Sequence, residues 1–523
     1  MDVKLFNLIS KFKQFILKVI SIKELKLILY SVFFLFVIKF LFDFGPFYTS
    51  DTIDYLKMAN DVSLGFFPHS PSFSPGYPFL IGLISKLFVS SGIKSVFYLV
   101  FIFIFLSVFI TYRIVKLIYR DSTFTFQKGA FISFVFLSHW AIFKILITAH
   151  ADALFLVLLL VYFLFLFSWL STFKVKWFIF TTFFASMCIW IKYNGLIMIP
   201  FLIFSSLIFG KNKFKLYILG FPIITAFTSY FTFSIVNGTV IKHFKSELFI
   251  NKIEFALYNY DLLYYNLVLS GRVFVSAIFT RSIQLLMPDW FCIVFLMALL
   301  YLVFKYFLFS KNSMKIENAL LLFTFFYWIV FLILNQYAAY NEIGARTMFP
   351  SILSFYLWLL IIFKSLKKSK KYVVAIILIL NIIYSFYYVI VLNYNTDKKN
   401  TIQYVADFSN RKSVIELKKL QKNYNFNDRI YTNEYRNLLY AFNYRGINIY
   451  PSRKVFINGS FRDLNDQQYD KIQQKFWDDF SASTSVVLLI DCPKFKSFKN
   501  CVNSNKYKIF HIGQDVLIIN VMP

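Results

Sequence analysis

Residues 27–43, LILYSVFFLFVIKFLFD, lead almost directly into residues 48–61, YTSDTIDYLKMAND. The first stretch is apolar over roughly the length that crosses a bilayer core, and the second is polar and acid-bearing. A helix capped by Ser50 or Asp51 would set Tyr55 and Met58 on one face of the second stretch. A membrane anchor that delivers a capped, acidic helix to the bilayer surface is the pattern from which the fold is read, and the rest of the chain extends its apolar half.

Apolar runs of spanning length recur near 95–118, 129–147, 153–170, 177–191, 196–210, 216–236, 289–309, 319–336, 347–363 and 372–393. With 27–43 they predict about eleven transmembrane helices. Composition agrees: 59% of the 523 residues are hydrophobic and 15% are charged, against about 25% charged in soluble domains. The lysines at 4, 11, 13, 18, 23 and 26 precede the first run without a small-residue cleavage site after it, so it reads as a retained anchor rather than a signal peptide.

A net charge of +29 suggests a nucleic acid or an anionic surface until the charges are sorted by position. With the N-terminus inside, 23 of the 55 cations fall on cytoplasmic segments, as the positive-inside rule requires. That placement excludes a nucleic-acid binder. It also sets the 44–94 loop, with Asp51, Asp54 and Asp61, on the outside of the cell membrane, together with everything after residue 393. Residues 394–523 read as a small extracytoplasmic α/β domain, with strand-like runs at 485–490 and 516–521 and helical stretches at 411–423 and 467–480. Cys492 and Cys501 could close a loop there, while Cys188 and Cys292 read as core residues; the four cysteines form no CxxC or zinc-finger spacing.

Ionisable groups beside apolar spans are costly and often functional. The same outer boundary collects Asp51 and Asp54 with Tyr55, then Pro71 to Pro78 leading into an apolar segment, 79–89, too short to span. It also collects His150 and Asp152, Lys192 and Tyr193, and Glu342 with Arg346. Solvated loop acids, a snorkelling lysine and a capped interfacial helix would account for each in isolation. Their shared face points instead to acids and bases converging over a membrane-embedded cleft. His150 and Asp152 are two ligand types without a third, so a divalent cation could be recruited but no closed metal set is visible.

The segment Ser50 to Ala59, followed by Ser74-Pro75-Gly76-Tyr77-Pro78, resembles the first outer loop of GT-C superfold glycosyltransferases, the group of protein O-mannosyltransferases and lipid A aminoarabinose transferases. Ala151-Asp152-Ala-Leu-Phe, Ile191-Lys192-Tyr-Asn-Gly195, and the tail segments Asp428 to Asn433 and Tyr440 to Pro451 are similar to later parts of those enzymes. The first-loop pattern is Asp-x-x-Asp, so either acid could act, and His150 has no counterpart in the pattern. The resemblance implies a sugar moved from a polyprenyl-phosphate carrier to an acceptor hydroxyl of a lipid, glycan or protein outside the cell, with inversion. Asp51 would be the general base, Asp152 a second acid, and Lys192 and Arg346 the cations on the leaving phosphate. Asp54, Tyr55, His150, Tyr193 and Glu342 would line the substrate site. The alternative, a multi-span transporter or lipid-linked glycan flippase, would be expected to show paired repeats and interrupted helices near the midplane; the sequence shows no clear internal repeat, and its acids lie at one face rather than in the middle. A polysaccharide polymerase or ligase shares the donor, but the first-loop acid and Pro-Gly-Tyr-Pro turn favour the GT-C pattern.

Overall fold

The computed structural model describes residues 23–48, 50–68, 74–89, 91–119, 126–209, 215–237, 260–278, 287–309, 318–338, 346–362, 378–388, 390–391, 408, 410–423, 430–432, 447–449, 454–457, 460–463, 466–481, 485–489, 508–512 and 514–520. Helices dominate the first three quarters: α1 Lys23–Phe44, α2 Ser50–Ser63, α3 Gly76–Leu87, α4 Gly92–Tyr119, α5 Phe126–Leu137, α6 Trp140–Leu146, α7 Ala151–Thr172 and α8 Val175–Ile191. They continue with α9 Met198–Phe209, α10 Lys215–Asn237, α11 Tyr260–Ile278, α12 Asp289–Phe309, α13 Asn318–Ala338, α14 Phe349–Ile362 and α15 Leu378–Tyr388.

Among the described residues α4 and α7 are long and apolar enough to cross a membrane, and shorter apolar helices include α3, α8 and α14. At 1.5 Å per residue the 22 residues of α7 extend about 33 Å. That helix is apolar on every side, which is the signature of a helix surrounded by others. Phe155, Leu159, Tyr162, Phe163 and Leu166 are all fully buried, with Phe155 edge-on to Phe349 of α14 and Phe163 edge-on to Phe323 of α13. On α4 the inward stripe of Val96, Leu99, Val100 and Phe103 is buried while Ile102, Phe105 and Phe109 are exposed, an apolar outer face suited to lipid. On α8 the Thr182 and Ser186 hydroxyls are satisfied one turn back, donating to Phe178 O and Thr182 O at 3.0 Å.

Three local expectations are revised. The apolar run 129–147 is two helices, broken at Ser138–His139, where the His139 side chain caps α6 by accepting from Ala141 N. The run at 196–210 begins in a short 3-10 turn, Tyr193–Ile197, before α9. Helix α11 lies in what reads from sequence as a connection; its buried stripe of Asn266, Ser270, Val273 and Phe274 has helical spacing but is half polar, so it gives no apolar run. The segment after Pro75 forms α3, about 18 Å long and too short to cross. It packs on α2 where Gly82 admits the α2 backbone; a Cβ there would lie 2.6 Å from Ala59 O.

All described strands follow residue 429. β1 Ile430–Thr432, β2 Ile447–Ile449, β5 Ser485–Leu489, β6 Lys508–Ile512 and β7 Asp515–Asn520 form a sheet of order β2-β1-β5-β7-β6, parallel from β2 to β5 and antiparallel beyond. β3 Lys454–Ile457 and β4 Ser460–Asp463 make a separate antiparallel pair. Helices α16 Lys412–Asn423 and α17 Asp466–Ser481 accompany the sheet. Phe476, Trp477 and Phe480 of α17 bury against Val487, Leu489, Val516 and Ile518, a core separate from that of the helical bundle. Arg411 grips Asp515 through two hydrogen bonds at 2.9 and 3.0 Å, and Ser413 donates to the same carboxylate, tying the start of α16 to β7.

Candidate active site

Backbone pairing brings the two acid-bearing helix starts together. Phe47, after α1, forms an isolated parallel bridge with Thr148: Phe47 N donates to Ile147 O at 2.9 Å and Ala149 N to Phe47 O at 2.7 Å. Thr52 in the first turn of α2 donates to Ala149 O at 2.7 Å. These bonds leave the N-termini of α2 and α7 side by side, where the orphan N–H groups and helix dipoles favour negative charge. Asp51 sits in the first turn of α2 and Asp152 in the first turn of α7.

His150 is the N-cap of α7, with its Nδ1 at 3.1 Å from Asp152 N. Its ring spans the two acids: Nε2 is 2.9 Å from Asp51 Oδ2, and Nδ1 is 2.9 Å from Asp152 Oδ2. Two cations complete the cluster. Lys192, the extended residue that ends α8, pairs with Asp152 Oδ1. Arg346, just before α14, reaches both acids with one guanidinium, Nε to Asp152 Oδ2 at 2.8 Å and Nη2 to Asp51 Oδ2 at 2.9 Å, and its Nη2 also meets His150. Asp152 is 4% exposed and Arg346 51%, so the cluster grades from a buried carboxylate to a half-exposed guanidinium.

Burial pushes the Asp51 carboxyl up, but the His150 and Arg346 contacts outweigh it and hold the group well below the usual carboxylate range. Arg346 is raised in return, since the two acids outweigh its own desolvation. Tyr55 on α2 packs edge-on to His150, ring centroids 5.3 Å apart, and to Tyr77 at the same distance. Burial and then the negative charges of Asp51 and Asp152 raise the Tyr55 hydroxyl, and burial raises that of Tyr77, so both stay protonated.

The structure therefore brings Asp51, Tyr55, His150, Asp152, Lys192 and Arg346 into one cluster. Asp54 lies on α2 just beyond that first turn, partly buried, and Tyr193 opens the turn after Lys192. Glu342, Cys492 and Cys501 lie outside the described residues. Among the described residues no group of three His, Cys, Asp or Glu side chains could hold a metal ion; the oxygens of Asp51 and Asp152 face the lysine, arginine and histidine instead. Sequence reasoning does not find Thr52, Asn194 or Tyr327. Asn194 Nδ2 donates to the Tyr327 hydroxyl at 2.9 Å beneath the cluster, and nothing marks one tyrosine among the aromatics of α13.

The whole architecture has a counterpart among solved structures. ArnT from Cupriavidus metallidurans, in the apo state, superposes with a TM-score of 0.53 over 95% of this chain and 98% of its own, at 9% identity. The chain has the GT-C fold. The oligosaccharyltransferase of Archaeoglobus fulgidus, apo and tethered to an acceptor peptide containing the NVT sequon, also matches, with TM-scores of 0.48 and 0.47, 10% and 11% identity, and coverage of 88% of this chain and 69% and 68% of those. No family model matches the sequence, and no curated protein matches it by sequence. At such identities the GT-C likeness is one of fold.

Proposed function

We propose that the chain is a membrane glycosyltransferase that moves a sugar from a polyprenyl-phosphate carrier to an acceptor hydroxyl at the extracytoplasmic face of the cell membrane. The observation that carries this reading is the single guanidinium of Arg346 bridging Asp51 and Asp152, with Lys192 beside it. Two carboxylates and two cations at one membrane boundary are what transfer from a lipid phosphate to a hydroxyl requires. Asp51 takes the hydroxyl proton, the acceptor oxygen bonds to the anomeric carbon, and the bond from that carbon to the phosphate oxygen breaks with its electron pair left on the phosphate. Lys192 and Arg346 stabilise that developing charge, and Asp152 orients Arg346 and Lys192. Attack opposite the phosphate inverts the anomeric centre.

The reading includes eleven spans with a cytoplasmic N-terminus, a membrane domain over 1–393 and an extracytoplasmic α/β domain over 394–523. Alternating spans from an inside N-terminus carry Asp51, Asp152, Lys192 and Arg346 to the same side, which agrees with their meeting in one cluster. The decisive experiment supplies purified protein with radiolabelled polyprenyl-phosphate sugars and an acceptor extract: release of free polyprenyl phosphate with label in the acceptor is expected. Intact donor throughout, or movement of intact donor across a bilayer, would replace the transferase with a flippase. A single cysteine at the exposed Lys419, in a cysteine-free chain, is expected to react with an impermeant thiol reagent in intact cells; protection there would invert the topology.

A further inference from the structure

Lys192 and Arg346 belong to segments remote in sequence, and one buried hydroxyl joins those segments. Tyr327 stands on α13, fully buried, its ring parallel to Phe331 at 6.1 Å and against Phe323 at 5.8 Å. Its hydroxyl accepts from Asn194 Nδ2 at 2.9 Å and donates to Thr347 O at 3.2 Å. Asn194 lies in the turn that starts directly after Lys192, and Thr347 directly follows Arg346.

We infer that Tyr327 is a positioning residue that ties Lys192 and Arg346 into a single phosphate clamp, an inference that rests on the reading of those two cations as donor ligands. A phenolic hydroxyl has one proton, so donation to Thr347 O leaves a lone pair for the Asn194 amide and both bonds form at once. In a low-dielectric interior such linked bonds polarise one another. Packing alone does not call for that hydroxyl: the neighbouring positions along the same face of α13 are Phe323 and Phe331, and a buried hydroxyl is costly unless partnered. The turn carrying Asn194 is itself held close, because Gly195 lies so near the Cys188 carbonyl that a Cβ would overlap it. Lys192 N donates to Cys188 O and Gly195 N to Lys192 O, both at 2.9 Å. Asp152 joins the two cations at their charged ends, and the Tyr327 hydroxyl joins the backbone segments that carry them. Two cations grip one phosphate only when their separation matches it, so the clamp loses affinity if either segment drifts.

The test uses the full-length protein in nanodiscs with undecaprenyl phosphate and undecaprenol as probes. Tyr327→Phe is expected to raise the Kd for undecaprenyl phosphate about three- to tenfold, the worth of one to two neutral hydrogen bonds, and to leave undecaprenol binding unchanged. Asn194→Ala should do the same, and the double variant should be no weaker than Tyr327→Phe, since both remove the same join. Asn194 is partly exposed, so its variant carries the comparison where Tyr327→Phe lowers the yield of folded protein. Equal loss for both lipids would make Tyr327 a packing residue, and an unchanged Kd with intact wild-type binding would end the inference while leaving the transferase reading standing. Failure of the wild-type protein to prefer the phosphate over the alcohol would overturn the clamp itself.

Discussion

Arg346 either braces the fold or grips the donor, and replacing it by glutamine separates the two roles by magnitude. In the resting site its guanidinium lies 2.8 Å from Asp152 and 2.9 Å from Asp51. It is half exposed, so each ion pair is screened and contributes about 0–1 kcal/mol to stability. Asp152 keeps Lys192, and Asp51 keeps His150 Nε2, so no carboxylate is stranded. The expected loss of stability is therefore about 1 kcal/mol, a fall of roughly 1–3 °C in Tm for a chain of this size. A charged hydrogen bond to a phosphate is worth about 1.5–3 kcal/mol, so kcat/KM for the lipid donor should fall roughly 10- to 150-fold. Arg346→Lys keeps the charge but reaches one acid at a time, and should fall between wild type and Arg346→Gln. Initial rates of polyprenyl-phosphate release against donor concentration, alongside thermal unfolding in the same nanodiscs, give both numbers. A large drop in Tm with kcat/KM within threefold of wild type would refute the argument and make Arg346 a strut.

Asp51→Asn is expected to abolish transfer, by about a thousandfold or more, in a chain that still inserts and folds; near-normal turnover would remove Asp51 as the base. Its carboxyl is depressed in the folded protein, so its pairing adds stability above the ordinary carboxylate range, and that stability is lost as pH falls through the folded value. The Tm difference between wild type and Asp51→Asn should then be full near pH 6 and narrow below about pH 4. Lys192→Ala should raise the donor KM about tenfold with acceptor KM unchanged, and unaltered donor kinetics would return Lys192 to a snorkelling role. Gly195→Ala, which forces a Cβ into the Cys188 carbonyl, should cost about 1–3 kcal/mol of stability and weaken donor use through Lys192; a wild-type Tm would show that the turn has room.

What could be read in the sequence was whatever periodicity and charge placement express. The all-round apolarity of α7 and the acids at its edge are legible because each is a local contrast. The helix that begins at Ser50 is legible from its polar start, and Tyr55 and Met58 are both buried as its spacing implies. The bridge between Phe47 and Thr148 is not legible, because pairing between remote segments leaves no local pattern. His150 stands out as ionisable, but as a helix cap it is hidden, since caps are ordinarily Ser, Thr, Asp or Asn. The break at Ser138–His139 hides for the same reason, with no proline or glycine beside it.

The resting cluster holds two carboxylates against two cations, and that neutrality lets Asp152 be almost fully buried as an ion. The same pairing restrains the proposed base. A carboxylate gripped by arginine and histidine accepts a proton poorly, and Asp51 is held in that condition. On the proposed function a donor phosphate would be a competing anion for Arg346 and Lys192, so its arrival would draw the guanidinium from Asp51 and let the carboxyl rise towards the range in which it can take a proton. Acceptor activation then depends on donor binding, and the kinetic order should be donor first. A dead-end acceptor analogue is expected to inhibit uncompetitively against the lipid donor, with no binding to the donor-free protein by calorimetry. Competitive or noncompetitive inhibition, with binding to the donor-free protein, would mean that Asp51 is available without the phosphate and that its pairing with Arg346 does not gate the reaction.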